Sequence, residues 1–304
     1  MRIADIFAGI GGIRLGFEAA GCECVFSCEI DPSARETYAA NFRDIPAGDI
    51  RDVKSSDIPD FDILLAGFPY QAFSVIGRRE GFADTTRGTL FFEIERILRD
   101  KNPPAFMLEN VRNLTAHDKG RTFRVIMNHL EALGYHVHAK ILNALDFGLP
   151  QKRERVIIAG FRENVLFTFP SPVPECERKK LSDILEPNPP EKYYVSESIR
   201  SSRLARLKDK NFPRPYISHE NIAGTVTPHE WSAALRAGAS ANYILINDER
   251  RPTEREMLRL MGFPESFKVV VPYGKMRQQC GNSVAVPMIE AVAREMVKAM
   301  RQAE

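Results

Sequence analysis

Residues 2–21 read RIADIFAGIGGIRLGFEAAG: an apolar run, a glycine cluster and an amphipathic stretch, in that order. The apolar run predicts a buried β-strand, and the amphipathic stretch predicts a helix. Glycines between a strand and a helix let the backbone approach a ligand and leave amide groups pointing at it. A tight turn without a ligand is an equally good interpretation of this segment alone. The segment therefore predicts the first strand–turn–helix unit of an α/β fold.

The same alternation continues to about residue 170. Further strands are predicted at 23–29, 62–67, 105–110, 136–142 and 155–161, and further helices at 32–42, 89–101 and 122–134. Several of these strands are apolar throughout, which is typical of strands that are covered on both faces. The pattern predicts an α/β fold with a doubly wound, mostly parallel sheet, and ligands at the carboxyl ends of its strands.

A second region begins where prolines interrupt this pattern. Six prolines fall between 170 and 190, and regular alternation stops there. We expect a smaller, irregular domain at 171–270 and a first domain at 1–170 that is completed by 271–304. The stretch 284–300 is amphipathic and predicts a helix that packs on the first domain.

Acidic residues stand at the expected carboxyl ends of two strands. Glu29 and Asp31 come at the end of the second strand, and Asp49 follows at the next expected strand end. An acidic residue about 20 residues after a glycine turn commonly binds a ribose diol. The turn has no basic residue before Arg14, so phosphate is not the expected ligand. This layout indicates a site for an adenosyl cofactor.

Two further pairs of polar residues accompany predicted strands. Glu109 and Asn110 end one strand, where a carboxylate can bind a substrate ring or cap a helix. Arg153 and Arg155 lie two residues apart, on one side of a strand, where two guanidinium groups can bind an anion or polarise a carbonyl. A solvated pair on a strand edge explains these arginines equally well.

Charge and cysteine content narrow the class of protein. The net charge is only +2, but the run 199–215 holds six basic residues and one acidic residue. Such a run is either a solvated helix face or a surface that contacts phosphate. The five cysteines are scattered and odd in number, which indicates reduced thiols. Cys22, Cys24 and Cys28 have no second Cys/His cluster to complete a zinc site, so no metal is expected.

Neither a membrane span nor a secretory signal is expected from the sequence. The chain of 304 residues has no run of about 18 apolar residues. Its first residues lack the charged, apolar and small-residue regions of a signal peptide. We therefore expect a cytoplasmic protein.

Six motifs occur together in a fixed order. They are FAGIGG (7–12), GFPYQAFS (67–74), ENV (109–111), QKRERV (151–156), RRPTERE with RLMGFP (250–264) and QQCGNSV (278–284). In order and spacing they resemble the motif set of DNA cytosine carbon-5 methyltransferases, above all the small bacterial enzymes of type II restriction–modification systems. The resemblance covers nearly the whole chain, and only about residues 171–250 stand outside it.

The resemblance implies an S-adenosylmethionine-dependent methyltransferase fold, S-adenosylmethionine as cofactor, no metal and a target-recognition domain in the irregular region. The residues implied to line the methyl-donor pocket, with Glu29 on the ribose, are Phe7, Gly9, Gly11, Gly12, Glu29, Asp31, Asp49, Ile50 and Asn282. Glu109 would hold the ring nitrogen and amino edge of a flipped cytosine, and Arg155 its carbonyl oxygen. Arg153 would lie nearby, together with Ser74 on a closing loop. Contacts to DNA are expected from Ser74, Arg200, Arg203, Arg206 and Thr225.

The sequence departs from the family pattern at the catalytic nucleophile. The family has cysteine directly after the proline of the GFP motif, and this chain has Tyr70 after Pro69. A cysteine thiol has a pKa of about 8.5 and is strongly nucleophilic, whereas a phenol with a pKa of about 10 is a weaker nucleophile. We therefore expect a methyltransferase scaffold that Tyr70 inactivates.

The expected partner is double-stranded DNA, and a functional link to a cognate restriction endonuclease is possible. We expect a monomer that has no membrane partner. One alternative is a non-catalytic, sequence-specific DNA-binding protein on the same scaffold. The other is a tRNA cytosine methyltransferase, against which the long variable region counts.

Overall fold

The structure is a computed structural model and describes residues 1–68 and 90–303. The strands in these residues are β1 (Arg2–Ile6), β2 (Glu23–Cys28), β3 (Ile63–Gly67), β4 (Ala105–Val111), β5 (His136–Asn143), β6 (Gln151–Lys152), β7 (Glu154–Phe161), β8 (Ile217–Glu220), β9 (Val226–His229), β10 (Ser232–Ala233) and β11 (Ile244–Ile246). The helices are α1 (Gly12–Ala19), α2 (Pro32–Phe42), α3 (Leu90–Lys101), α4 (Arg121–Ala132), α5 (Glu197–Arg206), α6 (Glu254–Met261), α7 (Tyr273–Asn282) and α8 (Val286–Arg301).

The chain divides into two compact units. The first comprises 1–142, 154–171 and 289–304, and the second comprises 143–153 and 172–288. Compactness thus groups 143–153 and 271–288 with the second unit, whereas the sequence led us to expect both segments in the first domain. The expected limits of the functional domains stay a prediction. None of the described helices is both long and apolar enough to cross a bilayer.

The first unit is built on a six-stranded sheet in the order β2-β1-β3-β4-β7-β5. β1 pairs in parallel with β2 and with β3, and β3 pairs in parallel with β4, whereas β7 is antiparallel to β4. The strand order reverses at β1, because β2 lies on one side of it and β3 on the other. Ligands of such sheets bind outside the carboxyl ends of the strands at this reversal. The prediction of a doubly wound, mostly parallel sheet is confirmed.

One face of this sheet carries a large apolar core under α3 and α4. Alternate residues of the central strands, such as Ile6 and Leu64, are fully or almost fully buried there. Phe91 of α3 and Leu130 of α4 are buried in the same cluster. Apolar positions in these two helices recur every three or four residues, which explains why their spacing predicted helices that cover a sheet.

Helix α8, from Ile289 onward, packs against α1 in the same unit. A Cβ atom added at Gly16 of α1 would lie 2.7 Å from Cγ2 of Ile289 in α8, so the two helices approach closely. Arg294 of α8 donates a 3.0 Å hydrogen bond from Nη2 to the Ala19 carbonyl. The predicted packing of the last helix on the first part of the chain is therefore seen within this unit.

The second unit contains short strands and three helices. β8 pairs antiparallel with β9 and β11 in the order β11-β8-β9, and β10 pairs in parallel with β6. In α6, the Thr253 side chain caps the Glu256 amide, and the Glu256 side chain accepts from the Thr253 amide. Because this capping box satisfies amides at the start of the helix, it explains why the helix begins where it does.

Candidate active site

The glycine turn follows β1 in an unusual backbone conformation. Phe7 has φ +57°, although it is not glycine, and Gly9 and Gly11 have φ +56° and +82°. A Cβ atom at Gly11 would lie 2.2 Å from the Phe42 ring, so a larger residue cannot replace it without a shift. A Cβ atom at Gly9 would meet no described atom within 4 Å, so space is open in front of the turn. Gly12 is buried as the first residue of α1.

Glu29 joins this turn to the end of β2. Its Oε2 accepts a 2.8 Å hydrogen bond from the Gly9 amide, and its Oε1 accepts one of 2.8 Å from the Asp31 amide. Asp31 itself caps α2, since its carboxylate accepts a 2.8 Å hydrogen bond from the Ser33 amide. Each carboxylate oxygen of Glu29 keeps a further lone pair for a ligand hydroxyl. The structure thus brings Glu29 together with the glycine turn.

Asp49 is a further acidic residue predicted for the cofactor site. It follows a bridge that pairs Cys28 with Ala47. Its carboxylate accepts hydrogen bonds of 3.0 Å from both the amide and the Nε of Arg51. These hydrogen bonds hold the pKa of Asp49 below its usual range. Ile50, the next residue, is buried.

Ile30 lies directly after Glu29 and was not predicted as a site residue. Its side chain is 61% exposed, which is high for a large apolar residue. The residues on either side of it, Glu29 and Asp31, are both predicted to contact the cofactor. The available signal was its place in the sequence, between Glu29 and Asp31 at the expected strand end. An exposed apolar side chain there offers a surface for a flat apolar group.

Asp5, in β1, is a second residue whose importance the sequence did not reveal. Its side chain is fully buried, and neither carboxylate oxygen has a hydrogen-bond partner among the described residues. Burial raises the pKa of Asp5 to about 8; Arg14 opposes this shift, and Glu29, Glu18 and Asp44 reinforce it. Because burial disfavours the charged form, the carboxyl is expected to be largely protonated at neutral pH. The signal was an acidic residue within an apolar strand.

Arg14 of α1 links this helix to α2 through contacts with Tyr38 and Phe42. Its Nε pairs with Glu18 at 2.6 Å, and its Nη1 lies 2.9 Å from Asp44 and 3.1 Å from the Tyr38 hydroxyl. Its guanidinium carbon is 4.4 Å from the centre of the Phe42 ring. With its donors engaged in this way, Arg14 acts as a support for the turn rather than as a ligand for phosphate.

Glu109 and Arg155 form an ion pair on the antiparallel strands β4 and β7. Arg155 pairs across the strands with Val111, two residues from Glu109, so the two side chains lie diagonally on one face. Arg155 Nε lies 2.8 Å from Glu109 Oε1, and both side chains are largely buried. The neighbouring Asn110 donates a 2.9 Å hydrogen bond from Nδ2 to the carbonyl of Phe68.

Arg153 and Asn282 belong to the second unit. The Arg153 side chain is buried, and it donates hydrogen bonds to the carbonyls of Leu235 (2.9 Å), Gly281 (3.0 Å) and Ser283. Its guanidinium therefore supports the backbone of this unit, a role that the sequence did not predict. Asn282 ends α7 and is exposed. A contact of either residue with base or cofactor stays a prediction.

Four arginines of the basic run 199–215 pair with acidic residues of the second unit. Arg203 is 1% exposed; it pairs with Glu220 at 2.9 Å and with Asp248 at 3.5 Å. Its guanidinium therefore faces acids inside the unit, and contact of Arg203 with phosphate stays a prediction. Arg206 also pairs with Glu220, and its side chain is 38% exposed.

The other predicted DNA contacts in this unit are Arg200 and Thr225. Arg200 pairs with Glu249 at 3.3 Å and is partly exposed. The Thr225 amide donates a 2.9 Å hydrogen bond to the Asn221 side chain in the β8–β9 turn. Contact with DNA by Arg200, Arg206 or Thr225 stays a prediction.

Two predicted site residues, Tyr70 and Ser74, lie outside the described residues, together with the predicted closing loop. In residues 1–68 and 90–303, no three His, Cys, Asp or Glu side chains are grouped so that they could hold a metal ion.

The sequence was compared with models of known protein families. The model described as C-5 cytosine-specific DNA methylase matches residues 1–298. The chain belongs to this family.

Curated members of this methylase family share much of the sequence. The Type II methyltransferase M.HaeII of Haemophilus aegyptius is 53% identical over 304 residues, covering 99% of this chain and 94% of that protein. The Type II methyltransferase M.NgoBI of Neisseria gonorrhoeae is 54% identical over 292 residues, covering 95% and 91%. The resemblance to type II restriction–modification enzymes is therefore confirmed.

Solved structures agree on the fold of this methylase. Dnmt2 of S. pombe gives a TM-score of 0.72 at 21% identity, covering 100% of this chain and 99% of the other. The Entamoeba histolytica methyltransferase EhMeth gives 0.72 at 17% identity, again covering 100% and 99%. At these identities the likeness establishes the fold alone.

The family implies S-adenosylmethionine as methyl donor, and the residues at the ends of β1 and β2 fit it. Glu29 can accept hydrogen bonds from ribose hydroxyls, and the open space at Gly9 admits a ligand to the turn amides. Exposed Ile30 offers apolar surface to an adenine ring. These donors and acceptors suit an adenosyl group without phosphates.

Proposed function

We propose that this chain binds S-adenosylmethionine and duplex DNA as a cytosine carbon-5 methyltransferase does, but that Tyr70 leaves it deficient in methyl transfer. The observation that carries the proposal is the sequence GFPYQ at 67–71, in which tyrosine stands where the family has its cysteine nucleophile. The other motif residues that we assign, including Glu29, Glu109 and Arg155, keep the family's identities.

The chemistry at the base explains why this one substitution matters. Carbon 5 of cytosine is a poor nucleophile, and it becomes reactive when a thiolate adds to carbon 6. The bound cofactor supplies an electrophilic methyl group on its sulfonium centre. A phenol is mostly protonated at neutral pH, since its pKa is about 10. Its oxygen also stands several ångströms farther from the backbone than a cysteine sulfur, and misplacement by about 1 Å can cost about 100-fold in rate.

The cysteines elsewhere in the chain do not offer a substitute. Cys22, Cys28 and Cys280 are buried, and Cys24 is partly buried. Burial raises the pKa of Cys24, Cys28 and Cys280 to about 12, so these thiols are protonated and weakly reactive. Cys176 is exposed in the second unit but follows no motif of the family.

We assign the cofactor to the carboxyl ends of β1, β2 and the segment at Asp49. Glu29 would accept from the ribose hydroxyls, and Phe7, Gly9 and Ile30 would border the adenosyl group. The hydrogen bond from Gly9 to Glu29 supports this assignment, because it holds the carboxylate beside the turn before any ligand arrives. Preorganisation of this kind lowers the cost of binding.

We assign the flipped cytosine to the ion pair of Glu109 and Arg155. Glu109 would hold the ring nitrogen and amino edge, and Arg155 the carbonyl oxygen. Their 2.8 Å separation on adjacent strands supports this role, since both groups can contact neighbouring atoms of one small ring. The base must leave the helical stack to reach such a site. Asn110, through its hydrogen bond to the Phe68 carbonyl, would fix the residue that precedes Pro69.

The remaining expectations concern partners. Duplex DNA is the proposed substrate, with the second unit reading its sequence, and a cognate endonuclease is the expected functional partner. The alternative is a sequence-specific DNA-binding protein without catalysis. The tyrosine at the nucleophile position, Tyr70, favours this alternative. A tRNA cytosine methyltransferase is a further alternative.

Filter retention of duplex DNA and of tRNA, with S-adenosylhomocysteine present, tests the proposed partner. We expect retention of duplex DNA at concentrations at which tRNA is not retained. A parallel assay of tritium transfer to mixed-sequence duplex DNA should give no product. Preferential retention of tRNA, or transfer at rates typical of enzymes, would overturn the proposal.

A further inference from the structure

The second unit contains a concavity of about 580 Å³ with one unusual arginine in its wall. Two segments border it: the end of β8 with the turn that follows, at 220–222, and the segment 236–243. Arg236 belongs to the second segment and is exposed. No residue of this concavity belongs to the cofactor or cytosine sites assigned above.

Arg236 is held against an aromatic ring. Its guanidinium carbon lies 4.8 Å from the centre of the Tyr243 ring, and Tyr243 is 5% exposed. The Tyr243 hydroxyl accepts a 3.0 Å hydrogen bond from the Arg236 amide and donates one of 3.2 Å to the Ala234 carbonyl. Two hydrogen bonds therefore hold the Tyr243 hydroxyl, and the cation above this buried ring loses little further freedom on binding a ligand.

The charge of Arg236 is not neutralised within the part of the chain that the structure describes. No carboxylate there forms an ion pair with it, whereas Arg203 and Arg206 share Glu220. Arg200 and Arg214 share Glu249 in the same way. The one acid in the wall of the concavity, Glu220, thus already carries two cations, and Arg236 adds an unopposed positive charge.

The other polar groups of the concavity suit a ligand that accepts hydrogen bonds. Asn221 Oδ1 accepts a 2.9 Å hydrogen bond from the Thr225 amide. The Nδ2 donor of Asn221 takes no part in this hydrogen bond. Ile222, beside it, is fully exposed. A concave wall with donors and positive charge fits a convex, anionic partner, and the sugar–phosphate ridge of DNA has both properties.

We propose that this concavity binds one backbone phosphate of the DNA, with Arg236 as its principal cation. The proposal rests on the DNA binding proposed above. It adds a phosphate contact outside the basic run, in which Arg203 pairs with acids inside the unit. Arg236 stands alone in the stretch ALRAG at 234–238, so no cluster of basic residues marks it in the sequence.

The test is the salt dependence of DNA binding by Arg236→Gln, with Arg214→Gln as matched control. Both changes remove one exposed arginine charge from the second unit, but Arg214 is paired with Glu249 at 2.9 Å. Retention of mixed-sequence duplex DNA is measured from low to high salt. The slope of log affinity against log salt should become less steep by about 0.9 for Arg236→Gln, the value for one lost phosphate contact. Arg214→Gln should leave the slope near that of the unchanged chain.

Arg236→Lys should keep most of the slope, because it keeps the charge. An unchanged slope for Arg236→Gln would overturn the proposal, and so would a loss of affinity confined to one DNA sequence at unchanged slope. The second result would make Arg236 a base-reading residue. If the unchanged chain retains no duplex DNA at any salt concentration, the proposed DNA binding itself fails, which the same titration shows.

Discussion

The Glu29 carboxylate accepts a 2.8 Å hydrogen bond from the Gly9 amide and so fixes the glycine turn to the end of β2. The two residues lie 20 positions apart in the chain, and they follow the neighbouring strands β1 and β2. Both belong to segments that the sequence assigned to an adenosyl cofactor. Their contact means that loss of the Glu29 side chain removes a ligand group and a support of the turn together.

Glu29→Ala should therefore weaken S-adenosylhomocysteine binding, measured by calorimetry. Charge-assisted hydrogen bonds contribute about 1.5–3 kcal/mol each, and we expect a loss of about that size. Glu29→Gln is the control, since it keeps an oxygen acceptor and should lose less affinity. An unchanged affinity in Glu29→Ala would remove Glu29 from the cofactor site.

Asp5 should make the chain less stable as the pH rises. Its pKa is raised from 3.8 to about 8 in the folded protein, so between these values the folded state binds more protons than the unfolded state. Stability then falls as the pH rises through this window, by at most about 1.4 kcal/mol per pH unit from this group, and levels off above it.

Asp5→Asn should reduce this pH dependence and raise the stability at pH 8 relative to the unchanged chain. Urea unfolding at a series of pH values from 5 to about 9 measures both effects. Parallel curves for the two proteins over this range would show that Asp5 does not titrate in the way its burial implies.

Arg203→Ala should destabilise the protein strongly, and Arg206→Ala only weakly. Removal of Arg203 leaves the fully buried Asp248 without its cation, and breaking a buried pair in this way costs about 3–5 kcal/mol. Arg206 is substantially exposed, and pairs of that kind contribute about 0–1 kcal/mol. Equal losses in urea unfolding would contradict the structural role of Arg203.

Much of the first unit could be predicted from periodicity. Helix α2 begins at Pro32 and ends at Phe42, within the limits predicted, because Asp31 supplies a cap and Pro32 suits the first turn. The antiparallel direction of β7 could not be predicted, since an apolar strand reads the same in either direction. Nor does periodicity tell where one compact unit gives way to the other.

Side-chain roles were harder to predict than elements, because a sequence shows charge but not burial. Arg203 and Arg236 are both arginines of the second unit. We predicted a phosphate contact for Arg203 because it lies inside a basic run. In the structure Arg203 is packed against acids, whereas Arg236 is exposed above a tyrosine ring. Asp5 is a second example, because only the fold shows that its carboxylate is buried.

We propose that Tyr70 alone separates this chain from an active methyltransferase, and Tyr70→Cys tests this proposal most directly. Restoring the thiol lets carbon 6 of the base be attacked, so that Glu109 and Arg155 have developing charge to stabilise. Tritium transfer to duplex DNA should appear in Tyr70→Cys and be absent in the unchanged chain. With 5-fluorocytosine in the target, only Tyr70→Cys should give a protein–DNA adduct that survives denaturing gels. Methyl transfer by the unchanged chain at rates typical of enzymes, or an inactive Tyr70→Cys that still binds cofactor and DNA, would contradict the account.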